Sequence, residues 1–116
     1  MVDAKLRLSY ALTRAARIDL EQGNGRRARI RAEEARRTAT VLDRPSEALL
    51  AGVTLARACQ ALGDEAEVER LLGELRSAPL AGASQFARRE LGGLLDEGVG
   101  ASSGSRGTAS SREGEP

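Results

Sequence analysis

Few residues in this chain could carry out catalysis. Histidine is absent, and Cys59 is the single cysteine. The sequence therefore offers no Cys-His pair, no Ser-His-Asp triad and no cysteine or histidine cluster for a metal ion. Adjacent Glu33 and Glu34 could act as acid and base, but they lie in an arginine-rich segment where ion pairing along a helix is the simpler explanation. We therefore expect no enzyme, no metal and no cofactor.

Two patterns could bind phosphate groups. Gly23, Asn24 and Gly25 form a glycine-rich turn, but no strand pattern precedes them and no Gly-Lys-Ser/Thr follows, as a phosphate-binding loop requires. Arginines crowd the segment that follows this turn: Arg26, Arg27, Arg29, Arg31, Arg36 and Arg37. They spread around a helix instead of forming one stripe, and no aromatic residues accompany them for base stacking. Nucleic-acid binding is therefore the weakest of the functions considered.

The composition predicts the fold class. Alanine, leucine, arginine and glutamate, which lose little conformational freedom in helices, dominate the 116 residues. Tyr10 and Phe86 are the only aromatic residues. A chain of this length forms one domain with a thin core. We predict a single all-α domain.

Helix-ending and helix-starting residues divide the chain into five predicted helices. Gly23 and Gly63 can adopt the left-handed conformation that ends a helix, and proline at position 45 removes the preceding residue from the helical region. Asp3 and Asp64 are candidate N-caps. The predicted helices span residues 4–22, 26–42 and 45–62, the segment between Asp64 and Pro79, and residues 84–97.

The hydrophobic pattern predicts which side of each helix packs in the core. The third predicted helix is apolar on nearly all sides, so we expect it to be buried at the centre. The second has an alanine stripe that permits close packing. The side of the first helix expected to pack in the core contains Leu8, Ala11, Leu12, Ala15, Ala16, Ile18 and Leu20. On the fifth helix, the side expected to pack in the core contains Phe86, Ala87, Leu91, Leu94 and Leu95.

Residues 98–116 differ from the rest of the chain. They have no hydrophobic periodicity and almost no large apolar side chains. Such a segment cannot bury enough surface to offset the entropy of ordering. The sequence therefore predicts a helical domain over residues 1–97 and a disordered tail over residues 98–116.

The cellular compartment is predicted from what the sequence lacks. A single cysteine forms no internal disulfide. No apolar run approaches the roughly 18 residues that span a bilayer, and the first residues lack the apolar core of a signal peptide. We expect a cytoplasmic protein with no membrane partner.

Two segments of the chain are weakly similar at an offset of forty residues. Residues 15–32 align with residues 55–72, so that Ala16 corresponds to Ala56, Arg17 to Arg57 and Gly23 to Gly63. Each segment contains the end of one helix, a glycine turn and the start of the next helix. The pattern indicates two repeated helix pairs, with the fifth helix beginning another pair.

This arrangement resembles the tetratricopeptide repeat in a variant longer than the usual 34-residue unit. Leu55, Ala56 and Cys59 match the large, small and large positions of the family pattern, followed by the turn glycine and by Val68, Leu72 and Leu75. The first unit supplies Ala15, Ala16, Gly23, Ala28, Ala32 and Ala35. The resemblance covers about residues 5–96.

Three features depart from the family pattern. The usual aromatic residue near the start of each unit is missing, and the proline at the end of the unit comes late, as Pro45. Asp19 stands where the pattern has a large apolar residue, and a carboxylate there requires an arginine partner or backbone amides if it is buried. A structural ion pair, a cap for the next helix and a ligand contact are the three interpretations of Asp19. An unrelated helical bundle remains an alternative fold.

The resemblance implies a short right-handed solenoid of about two and a half repeats, whose concave groove binds a protein or peptide. It also implies a piece of a larger bacterial signalling or regulatory protein. On the first helix of each unit, the residues expected in the groove are Tyr10, Thr13, Arg17, Leu50, Val53, Arg57 and Gln60. Stacked arginines there suit a partner with a carboxylate beside an apolar side chain. Solvation of an otherwise apolar face is the alternative role of these arginines.

Two other functions remain open. One is an oligomerisation or packing module without its own ligand, and the other is arginine-mediated nucleic-acid binding. Repeat proteins usually need three or more units with polar ends, so we also expect an open apolar end and a marginal monomer or weak homodimer.

Overall fold

The computed structural model describes the backbone of residues 2–103 and the side chains of residues 4–97. Over residues 2–103 the regular secondary structure is entirely helical, which confirms the all-α class. None of these helices combines the length and the apolar character needed to cross a membrane. The helices are α1 (Val2–Glu21), α2 (Gly25–Val41), α3 (Pro45–Leu62), α4 (Glu65–Arg76) and α5 (Gln85–Ser103).

Helix bounds agree with the predictions within a few residues except at the two ends. The bounds of α3 are those predicted. α1 begins at Val2, so Asp3 lies inside the helix and the predicted N-cap there is wrong. α5 continues to Ser103, past the predicted helix end at residue 97. The remainder of the predicted tail, residues 104–116, lies outside the described residues.

The two glycine turns have the same geometry. Gly23 and Gly63 have φ values of 78° and 75°. Each amide donates to the carbonyl three residues earlier at 3.1 Å. The next amides, of Asn24 and Asp64, donate to the carbonyls of Asp19 and Cys59 at 2.7 and 3.0 Å. These two hydrogen bonds satisfy carbonyls at the end of the helix that would otherwise be unpaired. Glycine suits the turn because it adopts a positive φ without steric strain. The two turn glycines that the sequence aligns therefore end their helices in the same way.

α2 ends in a similar turn without glycine. Asp43 has a positive φ of 56°, and the amide of Arg44 donates to the carbonyl of Ala39 at 2.9 Å. Aspartate tolerates this conformation better than most residues. Pro45 then begins α3 at a position where a missing N–H costs nothing. The sequence predicted the end of α2 from Pro45 but not the left-handed residue before it.

The core is built around α2 and α3. α3 contacts each of the other four helices described, as its nearly continuous apolar surface predicted. α2 contacts α1 and α3 through alanines that are fully buried: Ala28, Ala32, Ala35 and Ala39. Small side chains let the backbones approach closely, so a thin core can still be densely packed.

The side of α1 that faces the core differs from the prediction. Ser9, Thr13 and Ala16 are buried, whereas Leu8 and Ile18 are 46% and 47% exposed. The hydroxyl of Ser9 donates to the carbonyl of Ala35 in α2 at 3.0 Å, and that of Thr13 donates to the carbonyl of Ser9 at 3.1 Å. Because these hydroxyls are satisfied by carbonyls, small polar residues can be buried where larger apolar ones were expected.

α4 and α5 begin at polar caps. Asp64 accepts a hydrogen bond from the amide of Glu67 at 3.3 Å, as predicted for an N-cap. Ser84 accepts one from the amide of Ala87 at 3.1 Å, and its own amide donates to the hydroxyl of Ser46 in α3 at 2.7 Å. The start of α5 is thereby attached to the start of α3.

Candidate interaction groove

One face of the molecule contains a groove between α1, α3 and α5, which we call the inner groove. It comprises two adjoining cavities of about 310 and 180 Å³. The cavities share Arg17, Glu21 and Leu50. The other lining residues are Tyr10, Thr13, Arg14, Ile18, Leu20, Glu47, Val53, Thr54, Arg57, Phe86 and Glu90.

The structure brings together six of the seven residues expected in a groove. Tyr10, Thr13, Arg17 and Leu50 line the larger cavity, and Val53 and Arg57 join Arg17 and Leu50 at the smaller one. The seventh residue, Gln60, is exposed at the end of α3 and lines neither cavity.

Burial divides these residues into a base and a rim. Thr13 and Val53 are 7% and 2% exposed and lie at the base of the groove. The Thr13 hydroxyl already donates to a carbonyl within its own helix. Tyr10 is 56% exposed at the rim, and Leu50 is half-buried. The groove therefore has an apolar base, with its polar groups at the edges.

Arg17 lies between two residues of α5. Its guanidinium carbon is 5.6 Å from the centre of the Phe86 ring, a distance at which a cation is attracted by the aromatic face. Its Nη2 atom is 3.8 Å from Glu90 Oε1. Phe86 was expected in the core, but it is 47% exposed and lines the groove. The aromatic ring therefore contributes to the groove surface.

Arg57, the repeat counterpart of Arg17, also contacts an acidic residue of α5. Its Nη1 atom donates to Glu97 Oε1 at 2.8 Å. Glu90 and Glu97 are seven residues apart, which places them two turns apart on the same side of a helix. Neither contact was predicted from the sequence, because the apolar pattern of α5 indicates only packing in the core. The spacing of these glutamates was the available signal.

The two ion pairs are partly exposed. The side chains of Arg17 and Arg57 retain 43% and 31% of their accessible surface, and Glu97 retains 56%. Exposed pairs of this kind contribute about 0.2–1 kcal/mol each. A carboxylate of another molecule can therefore replace either glutamate at small cost, especially where it forms a bidentate pair with the guanidinium.

Asp19 has a structural role away from the inner groove. Its side chain is 4% exposed and accepts a hydrogen bond from Arg31 Nη1 at 2.9 Å. This contact joins the end of α1 to α2. Of the three interpretations offered by the sequence, the structural ion pair is the one observed.

Cys59 is fully buried in the core near the start of α4. Burial raises the pKa of its thiol, and the nearby Arg29 guanidinium only partly opposes this effect. Arg29 in turn lies 3.5 Å from Glu33 and 3.3 Å from the N-cap carboxylate of Asp64. The interaction with the cysteine, followed by that with Glu33, raises the pKa of Arg29. This cluster connects helices, and its cysteine is a small buried apolar residue.

A larger hollow lies on the opposite side, between α2 and α4. Its volume is about 600 Å³, and it is lined largely by charged residues. Most of these charges have ion-pair partners: Arg36 lies 3.0 Å from Glu74 of α4, and Arg70 contacts both Glu67 and Glu74. Four of the five charged residues that line this hollow are in ion pairs, and it contains neither of the repeat-matched arginines, Arg17 and Arg57. We therefore take the smaller inner groove as the candidate site.

Comparison with known proteins finds no relative of this chain. The chain matches no family model, no curated protein and no solved structure. In the described part of the chain, no three His, Cys, Asp or Glu side chains lie close enough to hold a metal ion. The geometry of the inner groove is therefore the basis for a functional assignment.

Proposed function

We propose that the chain is a protein-interaction module whose inner groove binds a peptide segment carrying a carboxylate beside an apolar side chain. The observation that carries this proposal is the position of Arg17 and Arg57. Both lie on one face beside apolar groove residues, and both hold a replaceable carboxylate of α5. Glu90 and Glu97 occupy the positions that the acidic groups of a partner would take.

We further propose that the fold is a right-handed solenoid similar to tetratricopeptide repeats, with about two and a half units. Support comes from the matched hydrogen bonds at the two glycine turns. Further support is that α3 contacts both α1 and α5, as successive first helices of stacked pairs do. In this proposal the chain acts in the cytoplasm as a non-enzymatic piece of a larger bacterial regulator.

Nucleic-acid binding is less well supported. Three of the six arginines on α2 are engaged by carboxylates within the chain. Arg29 contacts Glu33 and Asp64, Arg31 contacts Asp19, and Arg36 contacts Glu74. Phosphate binding would have to compete with these partners, and a nucleic-acid complex would weaken steeply with added salt.

A packing module without a ligand of its own is the second candidate function. It is favoured by Leu8 and Ile18, which α1 leaves 46% and 47% exposed; Leu8 lies outside the inner groove, and Ile18 is at its edge. This function makes no use of Tyr10 or Arg57, so variants of those groove residues separate the two candidates.

Selection from a library of displayed peptides tests the groove proposal. We expect the immobilised chain to enrich sequences in which aspartate or glutamate adjoins an apolar residue. Tyr10→Asp should abolish the enrichment, because it places a like charge at the groove rim. Ile30→Asp is the matched control, since Ile30 is 61% exposed on α2 and Tyr10 is 56% exposed on α1. Failure of the wild type to enrich such peptides, or equal enrichment by both variants, would contradict the proposal.

A further inference from the structure

The outer side of α1 presents apolar residues in a symmetric order. Leu8, Ala11, Ala15 and Ile18 follow one another at spacings of three, four and three residues, which places them on one stripe of the helix. We call these four residues the outer stripe. Leu8 and Ile18 are 46% and 47% exposed, Ala11 is exposed and Ala15 is half-buried. The stripe reads large, small, small, large from either end.

The repeat shows what such a stripe does when it is covered. Positions forty residues later than Ala11, Ala15 and Ile18 are Ala51, Leu55 and Ala58 of α3. These three residues are 0%, 4% and 0% exposed, and α3 packs closely against α2 and α4. The same surface of the repeated helix is therefore a helix-packing surface in α3 and is uncovered in α1.

We propose that the outer stripe pairs with the outer stripe of a second copy of this chain, with the two α1 helices antiparallel. In that arrangement a two-fold axis passes near residue 13. Leu8 of each copy then lies level with Ile18 of the other, and Ala11 lies level with Ala15. Layers of this kind are those of an antiparallel coiled-coil seam. The central alanines permit close approach, and the larger residues fill the space on either side.

Charges along one edge of the stripe fit the same arrangement. Arg7, Arg14 and Glu21 are spaced by seven residues, so they follow that edge, and all three are exposed. Antiparallel pairing places Arg7 of one copy about two residues, or roughly 3 Å along the axis, from the level of Glu21 of the other. Two such opposite-charge contacts form in each dimer, whereas parallel pairing would align like charges.

Arg14 lies near the two-fold axis, so the Arg14 side chains of the two copies lie close to each other. This like-charge contact opposes association, and a single helix pair forms an interface at the small end of the range for specific complexes. The dimer is therefore weak, and it becomes tighter when the charge of Arg14 is removed. The outer stripe adjoins the inner groove, whose larger cavity Arg14, Ile18 and Glu21 also line, whereas Leu8, Ala11 and Ala15 line neither cavity. Variants at Leu8 and Ala11 therefore test the pairing without altering the groove.

Sedimentation of the full chain over a concentration series tests the pairing. We expect a monomer–dimer equilibrium that Leu8→Glu weakens by at least about ten-fold, because each dimer would bury two unpaired charges. Val41→Glu should leave it unchanged, since Val41 is 81% exposed on α2 and away from the stripe. Ala11→Arg provides a second disruption at an exposed position, and circular dichroism verifies folding. A wild type that stays monomeric, or a dimer that tolerates both stripe variants, overturns the proposal.

Charge exchange and crosslinking test the orientation. Arg7→Glu should weaken the dimer, and addition of Glu21→Arg should restore it, while Arg14→Gln should tighten it. A mixture of Ala11→Cys chains and Ala15→Cys chains should form a disulfide-linked heterodimer faster than either chain links to itself. Faster self-linking of Ala11→Cys, or no rescue by the exchanged charges, contradicts antiparallel pairing.

Discussion

Arg57 on α3 donates a hydrogen bond to Glu97 on α5 at 2.8 Å. An arginine expected to bind a carboxylate of a partner is therefore already paired with a carboxylate of its own chain. Arg17 has the same relationship to Glu90, at 3.8 Å. The inner groove thus contains the kind of group that it is proposed to bind. A partner must displace these glutamates, and their removal should therefore change affinity in a defined direction.

The first prediction concerns this competition. Glu90→Gln with Glu97→Gln should tighten binding of an acidic groove peptide by about two- to thirty-fold, because each of the two displaced surface pairs contributes about 0.2–1 kcal/mol. Titration calorimetry measures the change. Glu34→Gln on α2 serves as the control, since it removes an exposed acidic charge away from the groove. Weaker binding by the double variant would mean that the glutamates support the site instead of competing for it.

The second prediction concerns Asp19 and Arg31. Arg31→Met should destabilise the fold by about 1–3 kcal/mol, because it leaves the buried Asp19 carboxylate without its partner. Combining it with Asp19→Leu should recover most of that loss, since an apolar residue suits the buried position. Urea denaturation of the four proteins in the cycle measures the coupling. Additive losses would show that the two side chains do not interact.

Much of the fold was predictable because its signals are local. Turn glycines, Pro45, Asp64 and the alanine stripe of α2 act within a few residues, and they marked most helix bounds. The hydrophobic pattern did not predict which side of α1 packs against the core. Burial of Ser9 depends on a carbonyl of α2, a contact made only after the helices pack.

The candidate site was predictable only in part, for a related reason. Arg17 and Arg57 were identified by the repeat spacing, which is a local signal. Their partners Glu90 and Glu97 belong to a helix without a strong repeat match, and only the packing of α5 against α3 brings them near. Phe86 was assigned to the core because it is apolar, whereas its ring lies beside a guanidinium in the groove.

The third prediction concerns acid stability. A hydrogen bond from Arg70 lowers the pKa of Glu67, with Nε and Oε1 3.0 Å apart. A carboxyl with a lowered folded pKa stabilises the fold above its unfolded pKa of about 4.3, and this stabilisation is lost as the pH falls through the folded value. Arg70→Gln should therefore reduce the loss of stability between about pH 6 and about pH 3, and the reduction should be small because Arg70 is exposed and its interaction is screened by solvent. Urea denaturation at both pH values measures this loss for the wild type, for Arg70→Gln and for the control Arg37→Gln. An equal loss in the wild type and in Arg70→Gln would contradict the pairing of Arg70 with Glu67.

The fourth prediction concerns Cys59. Because burial raises the pKa of this thiol and closes access to it, it should react with a disulfide reagent at least about a hundred-fold more slowly in the native chain than in denaturant. Absorbance of the released thiolate follows the reaction. Equal rates in both states would show that the core around α3 opens readily.

If Arg17 and Arg57 bind a carboxylate-bearing partner, as we claim, reversing both charges should remove most of the affinity while the fold is retained. A peptide enriched by the wild type is titrated against Arg17→Glu with Arg57→Glu, and against Arg26→Glu with Arg37→Glu as a control of equal charge change on α2. We predict that the groove variant loses at least about ten-fold in affinity, or about 1.4 kcal/mol, while the control loses much less and both retain wild-type helicity. Equal affinity of a folded groove variant and the wild type would contradict the claim and assign both arginines to solvation of the groove face.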